Sequence, residues 1–146
     1  TRPRGTTAAG DSAMGDLLAV TSPGARSDRP APVPGSHFDA LLDRTHWLTY
    51  GYDAPRFTAL VAGRDFLGLS KEGTNVAVFP RTGPIHRAGF QWPNNTERLL
   101  RGSALVVEEA LGGGHVVLFA NDPTFRGWWR AMDRMVLNAL LLGPAF

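Results

Sequence analysis

The sequence predicts an α/β fold with several short strands and one short helix, then a final strand and one long carboxyl-terminal helix. Three observations lead there. Short apolar runs closed by glycine or proline recur between residues 36 and 120, as strands do. His115-Val116-Val117-Leu118-Phe119-Ala120 is nearly continuously apolar, the pattern of a strand covered on both faces. After Pro123, the residues Phe125, Trp128, Trp129, Met132, Val136, Ala139 and Leu140 recur at three- and four-residue spacing, which marks an amphipathic helix.

Residues 1–34 are rich in Thr, Ala, Gly, Ser and Pro, the composition of a disordered or low-complexity linker. Met14 and Leu17-Leu18-Ala19-Val20 form its apolar cluster, and the proline-rich 30–34 is expected to be extended and stiff. The folded part, 35–146, opens at Gly35. Residues 36–42 alternate loosely as a strand, 43–46 form a turn, and Trp47-Leu48-Thr49-Tyr50-Gly51-Tyr52 is an aromatic segment broken by glycine. Residues 57–62 read as a strand closed by Gly63, 66–70 as a further short one, and 75–79 as a strand stopped by Pro80. A weaker strand at 85–90 precedes a short helix within 92–102, and 103–111 and 115–120 make a hairpin through Gly112-Gly113-Gly114. Asp122 is placed to cap the long helix, with Pro123 at its first position and Gly143-Pro144 ending it.

At 146 residues the chain has room for one domain, and 43% hydrophobic against 19% charged residues marks a soluble globular composition. No apolar run reaches the roughly 18 residues of a membrane span. The net charge is only +2, although 14 of the 15 cationic residues are arginine. They are scattered from Arg2 to Arg134 rather than clustered, so nucleic-acid binding is not expected. Cysteine is absent, which excludes disulfides and thiolate metal ligands. The sequence starts at Thr1 and lacks a signal peptide's apolar core, so it reads as a mature or excised piece with any export signal upstream.

Burying the apolar face of the predicted helix is worth on the order of 10 kcal/mol before entropy, comparable with a domain's net stability. Folding alone explains that face. One such helix covers one side of a sheet, and no second long helix is available for the other. The chain is therefore expected to be the carboxyl-terminal part of a larger α/β unit.

Hydrolytic zinc sites draw ligands from spacings such as H-x-x-E. His37, His46, His86 and His115 are followed three residues later by Ala40, Thr49, Gly89 and Leu118, so none fits, and His46 and His115 read as structural. Ser70 lacks the second glycine of a nucleophile elbow, and the glycines at 112–114 precede a strand rather than a helix. Asn94-Asn95-Thr96 matches a glycosylation sequon, but either asparagine suits a helix cap equally well. The candidate ligand loop is Asn121, Asp122 and Arg126, because loops at the carboxyl ends of α/β strands bind ligands and a helix amino terminus offers free N–H groups. Capping by Asp122 accounts for the same residues without a ligand.

The stretch GGGHVVLFANDPTFRGWWRAMDRMVLNALLLGP, with PGSHFDALLDRTHWLTYGY and EGTNVAVFP, resembles the carboxyl-terminal region of large bacterial zinc carboxypeptidases of the carboxypeptidase-A-like family. In those proteins a peptidase domain is followed by a domain similar to class I glutamine amidotransferases. The resemblance covers 34–144 and is most specific in the last strand and helix. It implies a flavodoxin-like, amidotransferase-type domain of which this chain is the carboxyl-terminal part. It also implies a secreted or periplasmic parent hydrolase, with zinc in the peptidase domain and none bound here. The histidine and glutamate of an amidotransferase triad are replaced at Asn121-Asp122-Pro123-Thr124, and the nucleophilic cysteine is missing.

The resemblance thus implies a non-catalytic accessory segment of a metallocarboxypeptidase, packing against or assisting the peptidase, with peptide or cell-wall material as a further partner. The alternative is an independent carbohydrate- or protein-binding module using Trp47, Tyr50, Tyr52 and Trp92. A third option is an enzyme with a site around Asp122 and Arg126.

Overall fold

In a computed structural model, described over residues 28–146, six strands form one curled antiparallel sheet with a carboxyl-terminal helix. The strands are β1 (Val33–Leu42), β2 (Arg56–Gly63), β3 (Thr74–Val78), β4 (His86–Gly89), β5 (Ala104–Leu111) and β6 (Gly114–Phe119), and the helices are α1 (Thr96–Leu100) and α2 (Asp133–Leu142). The chain is thus mixed α and β, as expected. Every pairing is antiparallel, whereas a doubly wound flavodoxin-like unit is built on parallel strands.

The strand order is β2-β1-β3-β5-β6. β1 pairs with β2 along one edge and is shared on the other by β3, at Leu41 and Leu42, and β4, at 36–38. Asp39 lies at the changeover and takes the Ile85 carbonyl at 2.8 Å through its backbone N–H. Its buried carboxylate accepts from Arg87 and from Thr58 Oγ1, which ties β4 and β2 to β1. The Arg87 hydrogen bond is the main cause holding the Asp39 pKa below its ordinary value. Ordered contacts begin ahead of the expected boundary at Gly35, because Ala31 and Val33 are buried and the Ala31 N–H donates to Asn95 Oδ1 at 2.8 Å.

The core collects Phe38, Val61, Val76, Phe79, Ile85 and Leu105 from the sheet, Leu48 from a 3-10 turn, and Met132 and Met135 from the start of α2. That turn, Trp47–Thr49, replaces an extended reading of the aromatic segment. The strand expected at 66–70 is reduced to a single bridge between Leu67 and Ala104. Asn95 supplies no side-chain cap to α1, because its amide is engaged by Ala31 and by the Arg29 carbonyl instead.

Two expectations about the last βα unit are corrected. β6 is an edge strand paired only with β5, and it alternates rather than being covered on both faces. Val116 and Leu118 are 37% and 46% exposed, while His115, Val117 and Phe119 turn partly inward. The long helix from Pro123 is also absent. Phe125–Gly127 form one 3-10 turn in which Arg126 and Gly127 have φ of 54° and 64°, and α2 begins only at Asp133. Consecutive left-handed residues cannot continue a right-handed helix, and Gly127 makes the break inexpensive. The interruption resets the helical phase, so Met135 is buried and Leu140 is 70% exposed.

Glycine is required at Gly73, where an added Cβ would lie 2.4 Å from the Glu108 carbonyl oxygen. Gly73→Ala is expected to destabilise by about 1–3 kcal/mol through overpacking against that backbone. Gly113→Ala, with nothing within 4 Å, is expected to stay within about 0.5 kcal/mol. Urea melts of both variants measure the contrast, and equal midpoints would refute it.

Candidate functional site

Asn121, Asp122 and Arg126 share the loop leaving β6, but each has a local task. Asn121 Oδ1 accepts the Ala62 N–H of β2 at 2.8 Å, so this side chain joins the two ends of the curled sheet. Its Nδ2 is buried without a hydrogen-bond partner among the described residues. Asp122 Oδ1 accepts the Thr124 N–H at 2.9 Å and its hydroxyl at 3.1 Å, closing a local turn rather than capping a helix. The Arg126 guanidinium lies 5.3 Å from the centre of the Phe125 ring. The loop therefore follows an antiparallel edge strand and opens a three-residue turn, so neither the parallel-strand argument nor the helix-terminus argument applies to it.

The aromatics named for a binding module divide. Trp47 is buried, and Tyr52 is half-buried and donates its hydroxyl to the Ala131 carbonyl at 2.6 Å. Burial pushes the Tyr52 pKa up to about 12. Trp92 donates to the Pro32 carbonyl at 2.9 Å, while its ring lines a cleft of about 380 Å³ with Glu97, Arg98 and Arg101. Tyr50 remains substantially exposed, and so does Trp128, which the sequence reading assigned to a buried helix face.

A second cluster was not anticipated. Glu108, on β5 and only 7% exposed, directs one carboxylate oxygen to His115 Nδ1 and the other toward His46 Nε2 at 3.5 Å. The hairpin places His115 seven positions from Glu108, and the turn after β1 brings in His46. His46 Nδ1 accepts the Leu48 N–H at 3.2 Å and so caps the 3-10 turn, leaving its Nε2 to carry the hydrogen. The Glu108 hydrogen bond is the first cause raising the His115 pKa, and the backbone of Phe146 is the second. His115 also borders a cleft of about 290 Å³ walled by Trp47, Ala139 and Phe146. The sequence signal was a Glu and a His on strands expected to pair, but the position of His46 depends on a turn that spacing does not reveal.

Among the described residues, no group of three or more His, Asp or Glu side chains is placed to hold a metal ion. The arrangement at Glu108 is a carboxylate with both oxygens turned to imidazoles, which suits holding protons and pinning segments together. No family model matches this chain, and neither a curated protein nor a solved structure matches it.

Asn121→Ala is expected to destabilise by about 1–2 kcal/mol, because the Ala62 N–H loses its acceptor. Arg126→Gln, at an exposed position, is expected to change stability by less than about 0.5 kcal/mol. Thermal or urea unfolding distinguishes them, and equal losses would mean that Asn121 does not join the sheet ends.

Proposed function

We propose that this chain is a non-catalytic accessory segment of a larger α/β protein, and that the remainder of its own polypeptide packs on its outer apolar surface. The observation that carries this reading is β6, whose unpaired edge is flanked by the outward side chains of Val116 and Leu118. Leu137, Leu140 and Leu141 of α2 are also turned outward. Exposed leucines standing singly are ordinary. An apolar edge strand without a charge or proline along it is not, because its free N–H and C=O groups invite a further strand.

The resemblance in the last strand and helix supplies a candidate for the larger protein, a secreted or periplasmic bacterial zinc metallocarboxypeptidase. In this reading the curled antiparallel sheet is the closing section of an amidotransferase-like, flavodoxin-like domain whose parallel strands lie elsewhere in the polypeptide. Zinc belongs to the peptidase part, so no chemical step is assigned to it on these residues. No helix among the described residues is long and apolar enough to cross a membrane. The Trp92 cleft supports a second reading, a carbohydrate- or protein-binding module. Quenching of tryptophan fluorescence by a sugar or peptide, lost in Trp92→Ala, would favour it.

The isolated chain is expected to release no carboxyl-terminal amino acid from peptides, with or without added zinc, and metal-dependent release would sink the accessory reading. Leu118→Lys with Leu141→Lys is expected to leave stability within about 1 kcal/mol. The same pair should weaken capture of the separately expressed remainder of the reading frame by tenfold or more, equivalent to about 1.4 kcal/mol. Undiminished capture by the double variant would overturn the assigned surface.

A further inference from the structure

The Glu108 cluster touches every segment that anchors the carboxyl-terminal helix. Trp47 lies 5.3 Å from the His46 ring and 5.9 Å from the His115 ring, and it stacks on Phe146 at 5.6 Å with an interplanar angle of 10°. The turn that carries Trp47 is also the seat of α2. Asn138 Nδ2 donates to the Leu48 and Tyr50 carbonyls at 2.9 and 3.0 Å. Displacing either imidazole from Glu108 therefore disturbs the docking of the helix as well as the hairpin.

The two imidazoles differ in protonation. His46 is fixed with Nδ1 free of hydrogen, since Nδ1 accepts the Leu48 N–H, and it can serve Glu108 while neutral. His115 meets Glu108 through Nδ1, and the backbone of Phe146 is a second acceptor for the ring. A neutral imidazole has one N–H and cannot supply both.

We propose that Glu108, His115 and His46 form a proton-operated latch, which holds α2 and Phe146 against the β5–β6 hairpin while His115 is protonated and loosens them when it is not. Few other ionisable groups face the cluster. Asp43, in the turn ahead of His46, is held below its ordinary pKa, first by the Thr45 hydroxyl, and stays ionised across the neutral range. β3 presents Thr74 opposite Glu108, and β5 turns Glu109 to the Ser70 hydroxyl. α2 presents Ala139, and residues 143–146 carry no ionisable side chain. The folded-state pKa of His115 is raised, so the latch's contribution is fully present below about pH 6.5, the ordinary imidazole value. It is lost as pH rises through the elevated value.

NMR titration of the full chain from acid to alkaline pH tests this. The expected result is that the amide signals of Asn138 and Phe146 follow the His115 ring titration. Hydrogen-exchange protection of α2, corrected for intrinsic exchange, should fall several-fold over the same range. His115→Gln should flatten both responses. Phe146→Ala, at an exposed position, provides a second readout by lowering the His115 pKa and uncoupling Asn138 from it. Helix amides that ignore the imidazole titration in the unaltered chain, or an unchanged pH response in His115→Gln, would overturn the latch.

Discussion

Placing the carboxylate of Glu108 inside a sheet is the constraint on which much of this structure depends. A buried charge is tolerated only when its oxygens are paired, and here both oxygens are turned to imidazoles that arrive from different parts of the chain. The backbone of the same residue leaves no room for a side chain at position 73, so β3 can approach β5 only through a glycine. One residue thus fixes the register of β3 on β5, the pairing of the hairpin and the position of the turn after β1. The core supplies most of the burial, but it has no comparable demand for specific partners.

The strands were legible because alternation and punctuation agreed locally. Gly63, Pro80 and the glycines at 112–114 close elements where the backbone ends them, and the two-residue hairpin uses Gly112 at φ 63°. Sheet direction was not legible, because a short apolar run is compatible with parallel or antiparallel neighbours. The aromatic segment misled for a related reason. Trp47, Leu48 and Thr49 have strand-forming side chains, yet His46 caps them into a 3-10 turn that buries all three.

The last helix shows where periodicity loses its authority. The spacing from Phe125 to Leu140 is genuine, but Gly127 interrupts it, and the segment before Met132 spends its aromatics elsewhere. Trp129 packs on His37 of β1 at 4.3 Å instead of facing the core from a helix. Asn121 and Asp122 were picked out for their place after a strand, and they do lie at a structural junction. Their partners are backbone amides of the chain itself. The cluster at Glu108 escaped notice because histidines tested for metal spacing were not tested for a shared carboxylate.

β6 bears most directly on whether the chain is a self-sufficient fold. Proteins that leave a strand at the edge of a sheet blunt it with lysine, proline, a bulge or a covering loop. Gly114-His115-Val116-Val117-Leu118-Phe119 has none of the first two, and its register with β5 runs without a bulge. β2, at the other end of the sheet path, begins with Arg56 and has its Ala62 N–H occupied by Asn121. The two edges are therefore unequal, one managed and one left open with an apolar outer face. An open edge of that composition is a liability for a free domain and an ordinary feature of a sheet that continues into another part of the same polypeptide, and this asymmetry is what favours the accessory reading over an independent module.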